Sequence, residues 1–365
     1  VLASRYDANT AGVLGIAAVT IAGLIALANP STWSVTLGKP VADGSWTSAY
    51  GKQFDGSLLI RDPAITGFGI FNYMLFGDGR RGVVVGEDGW LFSDEEFTPT
   101  SKIEPLIAPK LAYIREVHAR LRARNVDLVV ALLPSKLRVY GEKAGDHPIP
   151  TVLKPVYTEL LNGIRSAGIT APDLLSVMMA GKARDQLFLR TDTHWTPGGA
   201  ALVAAAVARE AKAHGLIDGA DWPHADFRLT PGGRSQHSGD LLKFLPLGSL
   251  QSTGPAVDLY PDLRGSEAND ANMSLGDALL TQKQVPITLV GTSYSFNQRW
   301  RFEDALKAYF KSDLVNAAQE GRGPLKPMET YLDSPDFRNA PPRLVVWEIP
   351  ERYLWSSSAE TGLPQ

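Results

Sequence analysis

At 365 residues, 44% hydrophobic and 21% charged, the chain has the make-up of a folded protein with room for one large domain and appendages, which excludes disorder over most of its length. A net charge of −3, with no Lys/Arg run interleaved with aromatics, excludes nucleic acid as a partner. The absence of cysteine rules out disulfides, thiolate zinc sites and a cysteine nucleophile.

The first element is the uncharged run from Ala11 to Ala28, AGVLGIAAVTIAGLIALA, in which Thr20 is the one polar residue. As a helix rising about 1.5 Å per residue it just reaches across a hydrocarbon core of about 30 Å, so residues 1–30 are expected to form an N-terminal transmembrane helix. A cleaved signal peptide ending at Ala26-Leu27-Ala28 and a buried soluble helix are the competing readings, and the length of the run favours the anchor. Arg5 precedes the run and Lys39 is the first charge after it, which favours placing the bulk of the chain outside the cytoplasm. Residues 31–82, rich in Gly, Pro, Ser and aromatics, read as a connector that packs on a catalytic domain over 83–355, with 356–365 as a C-terminal tail.

From Val83 the segment VVVGEDGWLF predicts two short strands around a glycine turn. Apolar residues at helical spacing predict a helix from Pro109 to Arg124, followed by a buried strand in VDLVVALLP. The alternation recurs with a helix over 152–167, a short strand near Pro172 to Leu175, and a helix from Pro197 to His214 that Thr196 caps and Gly215 ends. PITLVG then predicts a strand, Phe296 to Lys311 a helix, and RLVVWEI a last strand. Such alternation argues for a mostly parallel sheet covered on both faces, with ligands bound at the carboxyl ends of its strands. Periodicity fails over about 220–283, where a binding insertion over the site is expected.

Two segments carry candidate chemistry. In LFLRTDTHWTPGG, Asp192 and His194 stand two apart, so in an extended segment they face one side and the carboxylate orients the imidazole as a general base. A surface turn capping the next helix is the bland alternative, and a metal site with His237 and Asp240 as further ligands is another. In LVGTSYS, Ser293 follows an apolar strand and precedes a helix, a turn that exposes a nucleophilic hydroxyl beside backbone N–H groups. Lys136, after the VDLVVALL strand, would stand at the same sheet edge to support the site or bind an acidic group. Tyr294, Asn297, Arg299 and Arg301 flank Ser293, where a guanidinium suits a uronic-acid carboxylate. Trp195 and Trp300 are open to sugar stacking or core packing, and Arg190 to a local ion pair.

Taken in order, VVVGEDGWLF, LLPSK, RTDTHWTPGGA, LVGTSYS and VVWEIPER resemble the alginate O-acetyltransferase J and X family, SGNH-hydrolase-like enzymes of the bacterial periplasm. The resemblance runs over roughly residues 50–355 and is most specific in the D-T-H-W and G-T-S pair. It implies a three-layer α/β/α sandwich and a catalytic triad of Asp192, His194 and Ser293, in an order circularly permuted from ordinary SGNH esterases. With an uncleaved anchor, and with no room after the catalytic domain for the sugar-binding module of the X type, the membrane-anchored J type is the closer expectation. The implied activity is transfer of acetyl to an exopolysaccharide through an acyl-serine, with no metal and no cofactor; the alternatives are a polysaccharide acetyl esterase and a non-catalytic scaffold. Acetyl-CoA is cytoplasmic, so a membrane-bound O-acyltransferase partner would deliver the acetyl group to a domain in the periplasm, tethered to the inner membrane. Which polysaccharide accepts it, alginate, cellulose or another, stays open.

Overall fold

The computed structural model describes residues 8–34, 41, 43–98, 103–217, 221–267 and 285–355, and the expected tail 356–365 lies outside them. Two compact units emerge, one of residues up to Asp78 with Leu245–Thr253, the other of Gly79–Phe244 with the chain from Gly254 onward.

In the first unit the apolar run lies in a helix, Ala8–Ala28, followed by helices Pro30–Trp33, Ser45–Ser57 and Arg61–Phe76. The stretch read as connector is therefore largely helical. Asn29 accepts the Ser31 N–H as a cap for Pro30, and Gly77, at φ 68°, supplies the left-handed turn that ends Arg61–Phe76. Among the described residues no helix is long and apolar enough to cross a membrane.

The second unit is built on a parallel sheet of β3 (Asp127–Leu133), β6 (Ile287–Val290), β7 (Leu314–Asn316) and β8 (Leu344–Pro350), in the order β3-β8-β6-β7. Side chains alternate along each strand, and β3, β6 and β8 are buried on both faces, while the edge strand β7 exposes Val315. Val129, Ala131 and Leu133 of β3 join Ile287, Leu289, Leu344 and Val346 in one core, while Leu128, Val130 and Leu132 join Val290, Val345, Trp347 and Ile349 in another. The first core is covered by helices Leu174–Gly181, Pro197–Ala213 and Phe302–Phe310; the second by Glu104–Arg122, Val156–Arg165 and Leu325–Leu332. Burial on both sides is why these strands read as unbroken apolar runs.

The remaining strands form two antiparallel pairs. β1 (Val83–Val85) and β2 (Leu91–Ser93) make the expected hairpin, while β4 (Phe227–His237) and β5 (Asp258–Glu267) form a long ribbon with a bulge between Pro231 and Arg234. The ribbon corrects the expectation of an irregular insertion: its glycines, prolines and charges suit exposed strands with no apolar alternation to read. Residues 268–283 of that insertion lie outside the described set.

Other elements depart from expectation. The helix read from Pro109 begins already at Glu104, with Pro105 in the first turn where no N–H is needed. The strand expected near Pro172 reduces to one bridge between Thr170 and Val129, and a helix starts at Leu174 on the cap of Asp173. The helix predicted over Phe296 to Lys311 is broken into Ser293–Phe296, a 3₁₀ turn Gln298–Trp300 and Phe302–Phe310, because Asn297 is extended (ψ 111°) and Arg301 adopts φ 60°.

Candidate functional site

The nucleophile candidate is placed by a strand end and a buried acid. Ser293 follows β6 and opens the short helix Ser293–Phe296, with Thr292 as its N-cap. On the neighbouring β8, Glu348 is fully buried and accepts the Thr292 N–H at 2.8 Å, the Thr292 hydroxyl and the Ser295 hydroxyl at 3.0 Å. Thr292 just before Ser293 and Ser295 two residues after it are thereby held. Burial raises the Glu348 pKa, against the lowering effect of those hydrogen bonds. Gly291 is required for this approach, since a Cβ there would lie 2.5 Å from Glu348 Oε2 and 2.7 Å from Ser295 Oγ. Within the first turn, Tyr294 N–H is directed to Thr292 Oγ1 and the N–H groups of Ser295 and Phe296 to Thr292 O. The N–H of Ser293 occupies the first helical position, which has no acceptor within the helix.

His194 and Asp192 lie in a bend rather than an extended segment. Leu189 N–H bonds to His194 O at 3.1 Å and Thr196 N–H to Leu187 O at 2.9 Å, closing a tight loop ahead of the Pro197–Ala213 helix. Asp192 faces His194 because its Oδ1 accepts both the His194 backbone N–H at 2.9 Å and ring Nδ1 at 2.6 Å. A carboxylate only accepts, so Nδ1 carries the hydrogen and the Nε2 lone pair faces Ser293 Oγ, 2.8 Å away. The structure thus brings Asp192, His194 and Ser293 into one hydrogen-bonded line.

Two further donors complete Asp192. His237 Nε2 lies 2.7 Å and the Asp240 N–H 2.9 Å from Oδ2, so the carboxylate accepts four hydrogen bonds. Burial raises the Asp192 pKa, but the bonds from His194 and His237 and the His194 charge outweigh it and hold the carboxyl well below the usual range. Asp240 in turn accepts the Thr193 N–H at 2.9 Å and hydroxyl at 2.7 Å. Asp192, His194 and Asp240 offer donor atoms within 4.8 Å of one another, close enough for a cation, but both carboxylate oxygens of Asp192 and both ring nitrogens of His194 are already engaged in hydrogen bonds.

The other sequence candidates take varied places. Lys136 is buried, and its ammonium donates to the carbonyls of Leu91, Arg190 (2.8 Å) and Asp192 (3.0 Å), so it props the Asp192 loop from beneath and has no free face for an acidic group. Burial pulls its pKa down to about 8, opposed by Glu96 and Asp258. Tyr294 is also buried, with its hydroxyl on the Thr193 carbonyl. Asn297 caps the following turn by accepting the Arg299 N–H at 3.0 Å. Arg299 is exposed and works to lower the Tyr260 pKa against burial; Arg301 pairs with Asp262 at 3.5 Å and Asp304 at 3.6 Å. Trp195 is packed in the core, while Trp300 stacks on His194 at 5.2 Å and meets His237 edge-on at 5.3 Å. Arg190 has Asp258 at 3.9 Å. Residues missed at the sequence level are Glu348, a lone acid in an apolar strand, and Asp258, whose carboxylate accepts the N–H groups of Arg190 and Thr191 at 2.7 and 2.9 Å.

Comparisons with known proteins bear on this site. The family model described as "SGNH hydrolase-like domain, acetyltransferase AlgX" matches residues 83–351. Over 316 residues the chain is 43% identical to a probable alginate O-acetylase AlgJ of Azotobacter vinelandii, covering 86% of this chain and 80% of that one. It is 40% identical over 332 residues to the protein of the same name in Pseudomonas aeruginosa, covering 88% and 83%. Among solved structures, the O-acetyltransferase domain of Pseudomonas putida AlgJ superposes with a TM-score of 0.68 at 41% identity, over 76% of this chain and 94% of that one.

Proposed function

Since the chain belongs to the family of SGNH hydrolase-like acetyltransferases that the AlgX model describes, we propose that it transfers acetyl groups to the hydroxyls of an alginate-like exopolysaccharide through an acyl-Ser293 intermediate. The observation that carries this reading is the hydrogen-bonded line from Asp192 through His194 to Ser293. His194 Nε2 takes the Ser293 proton as Oγ attacks the acetyl carbonyl, and the imidazolium then protonates the leaving group. Asp192 holds the tautomer and stabilises the charge on His194. The Ser293 N–H is the donor nearest the developing oxyanion. A sugar hydroxyl then gives its proton to the same Nε2 and attacks the ester, releasing acetylated polymer and the starting serine.

The setting is part of the proposal. The uncharged sequence run from Ala11 to Ala28 supports an anchor in the inner membrane with the catalytic unit in the periplasm, and acetyl then reaches Ser293 through a membrane-bound O-acyltransferase partner. Exposed Arg299, six residues after the nucleophile in the chain, suits a polyuronate acceptor.

Intact-mass spectrometry of the full chain in detergent after brief exposure to p-nitrophenyl acetate tests the chemistry. An acetyl adduct in the wild type that is absent from Ser293→Ala and His194→Ala is expected. An undiminished adduct in Ser293→Ala sinks the assignment. Adding oligo-mannuronate separates transferase from esterase: acetylated sugar supports transfer, and free acetate alone supports hydrolysis.

A further inference from the structure

The four hydrogen bonds on Asp192 divide cleanly by origin. Both on Oδ1 come from His194, the residue it orients, and both on Oδ2 come from the end of β4 and the turn that follows it, from His237 and Asp240. The χ2 torsion of an aspartate is broad and soft, so a carboxylate bonded on one oxygen is free to rotate. Donors on both oxygens fix its plane, and with it the line from Oδ1 to Nδ1.

The base of the ribbon is built around this loop. His237 pairs in the ladder with Asp258, which holds the N–H groups of Arg190 and Thr191. Leu241 N–H bonds to Thr191 O at 3.2 Å, and Gly239 lies so close to Thr191 that a Cβ would sit 2.0 Å from its carbonyl oxygen. The His237 ring also stands edge-on to Trp300, whose face stacks on His194. One aromatic thus spaces the two imidazoles that grip opposite oxygens of a single carboxylate.

We infer that His237 is a positioning residue of the acyl-transfer relay, acting through Asp192 Oδ2 to hold Oδ1 on His194. The inference rests on the Asp192–His194–Ser293 reading above. His237 touches neither the acyl group nor Ser293; its contribution is to the rate at which His194 takes the serine proton, and not to acyl-donor binding.

The test is the acylation rate of Ser293 by p-nitrophenyl acetate as a function of ester concentration, in the full-length wild type, His237→Ala, His237→Gln and Ser293→Ala. In this step Ser293 Oγ bonds to the acetyl carbon, the carbon–phenolate bond breaks, and the serine proton passes by way of His194 to the solution with nitrophenolate leaving. His237→Ala is expected to lower the maximal rate by about 10- to 100-fold with the half-saturating ester concentration unchanged, the scale of a misplaced catalytic group. His237→Gln, whose amide reaches the same position as Nε2, is expected to recover the rate to within about threefold, since it restores the donor with the same hydrogen-bond count. The low-field proton resonance of His194 Nδ1–H should be lost or exchange faster in the alanine variant and return with glutamine. A His237→Ala enzyme at the wild-type rate, or a glutamine variant as slow as alanine with its fold intact by circular dichroism, overturns the inference. Rapid acylation of Ser293→Ala would instead remove the relay itself.

Discussion

Asp192 keeps its charge although it is only 2% exposed, because four donors surround it. Its native pKa lies below that of the unfolded chain, so its contribution to stability is fully present above about pH 4 and is lost as pH falls toward the native value. Asp192→Asn should therefore flatten the stability profile between about pH 4 and pH 2, measured by denaturant midpoints, relative to wild type. The same change presents an amide N–H to His194 and favours the wrong tautomer, so acylation should fall by roughly a thousand- to ten-thousand-fold. Retention of near-wild-type acylation would contradict the role given to this carboxylate. Lys136 illustrates a different residue-scale outcome: a cation placed at the sheet edge satisfies three backbone carbonyls around the site.

Among the elements, the β4–β5 ribbon has a base and a bulge with different duties. At the base, Gly239 is pressed against the Thr191 backbone, which has no rotamer by which to give way. Gly239→Ala should push the 190–194 loop off His194's line and lower acylation by about 100-fold, while the fold survives. At the bulge, Gly233 has nothing within 4 Å of an added Cβ, and Gly233→Ala should leave the rate unchanged. Measured side by side with p-nitrophenyl acetate, equal rates in the two variants would show that the ribbon base does not position the loop. The parallel sheet serves the site in a simpler way: β6 delivers Ser293 and β8 delivers Glu348, one strand apart in register.

For the whole molecule, large exposed hydrophobic side chains concentrate near the N-terminus, with Val13, Ile16, Val19, Ile21 and Leu24 on the first helix and Phe68, Phe71, Met74 and Leu75 on Arg61–Phe76. Exposed apolar side chains gathered on neighbouring turns of a helix call for an apolar surrounding. The full chain should therefore fractionate with membranes and resist carbonate extraction, and removal of residues 1–30 should release it; an untruncated chain found in the soluble fraction would contradict the proposed anchor.

Much of this protein was legible in one dimension. Strands β3, β6 and β8 are apolar runs because both faces of the sheet are buried, and the Pro197–Ala213 helix announces itself through Thr196, Pro197 and Gly215. The residue types and order of D-T-H and G-T-S named three side chains before any geometry. Tertiary structure alone decided how they meet, since His194 and Ser293 are far apart in sequence and the 2.8 Å between them depends on the sheet that joins their loops. It also decided what Asp192 and its loop lean on: His237 and Asp258 end the two strands of a ribbon that carries no period, Asp240 follows in the turn after β4, and a hydrogen bond between distant polar groups leaves no pattern in the chain that makes it.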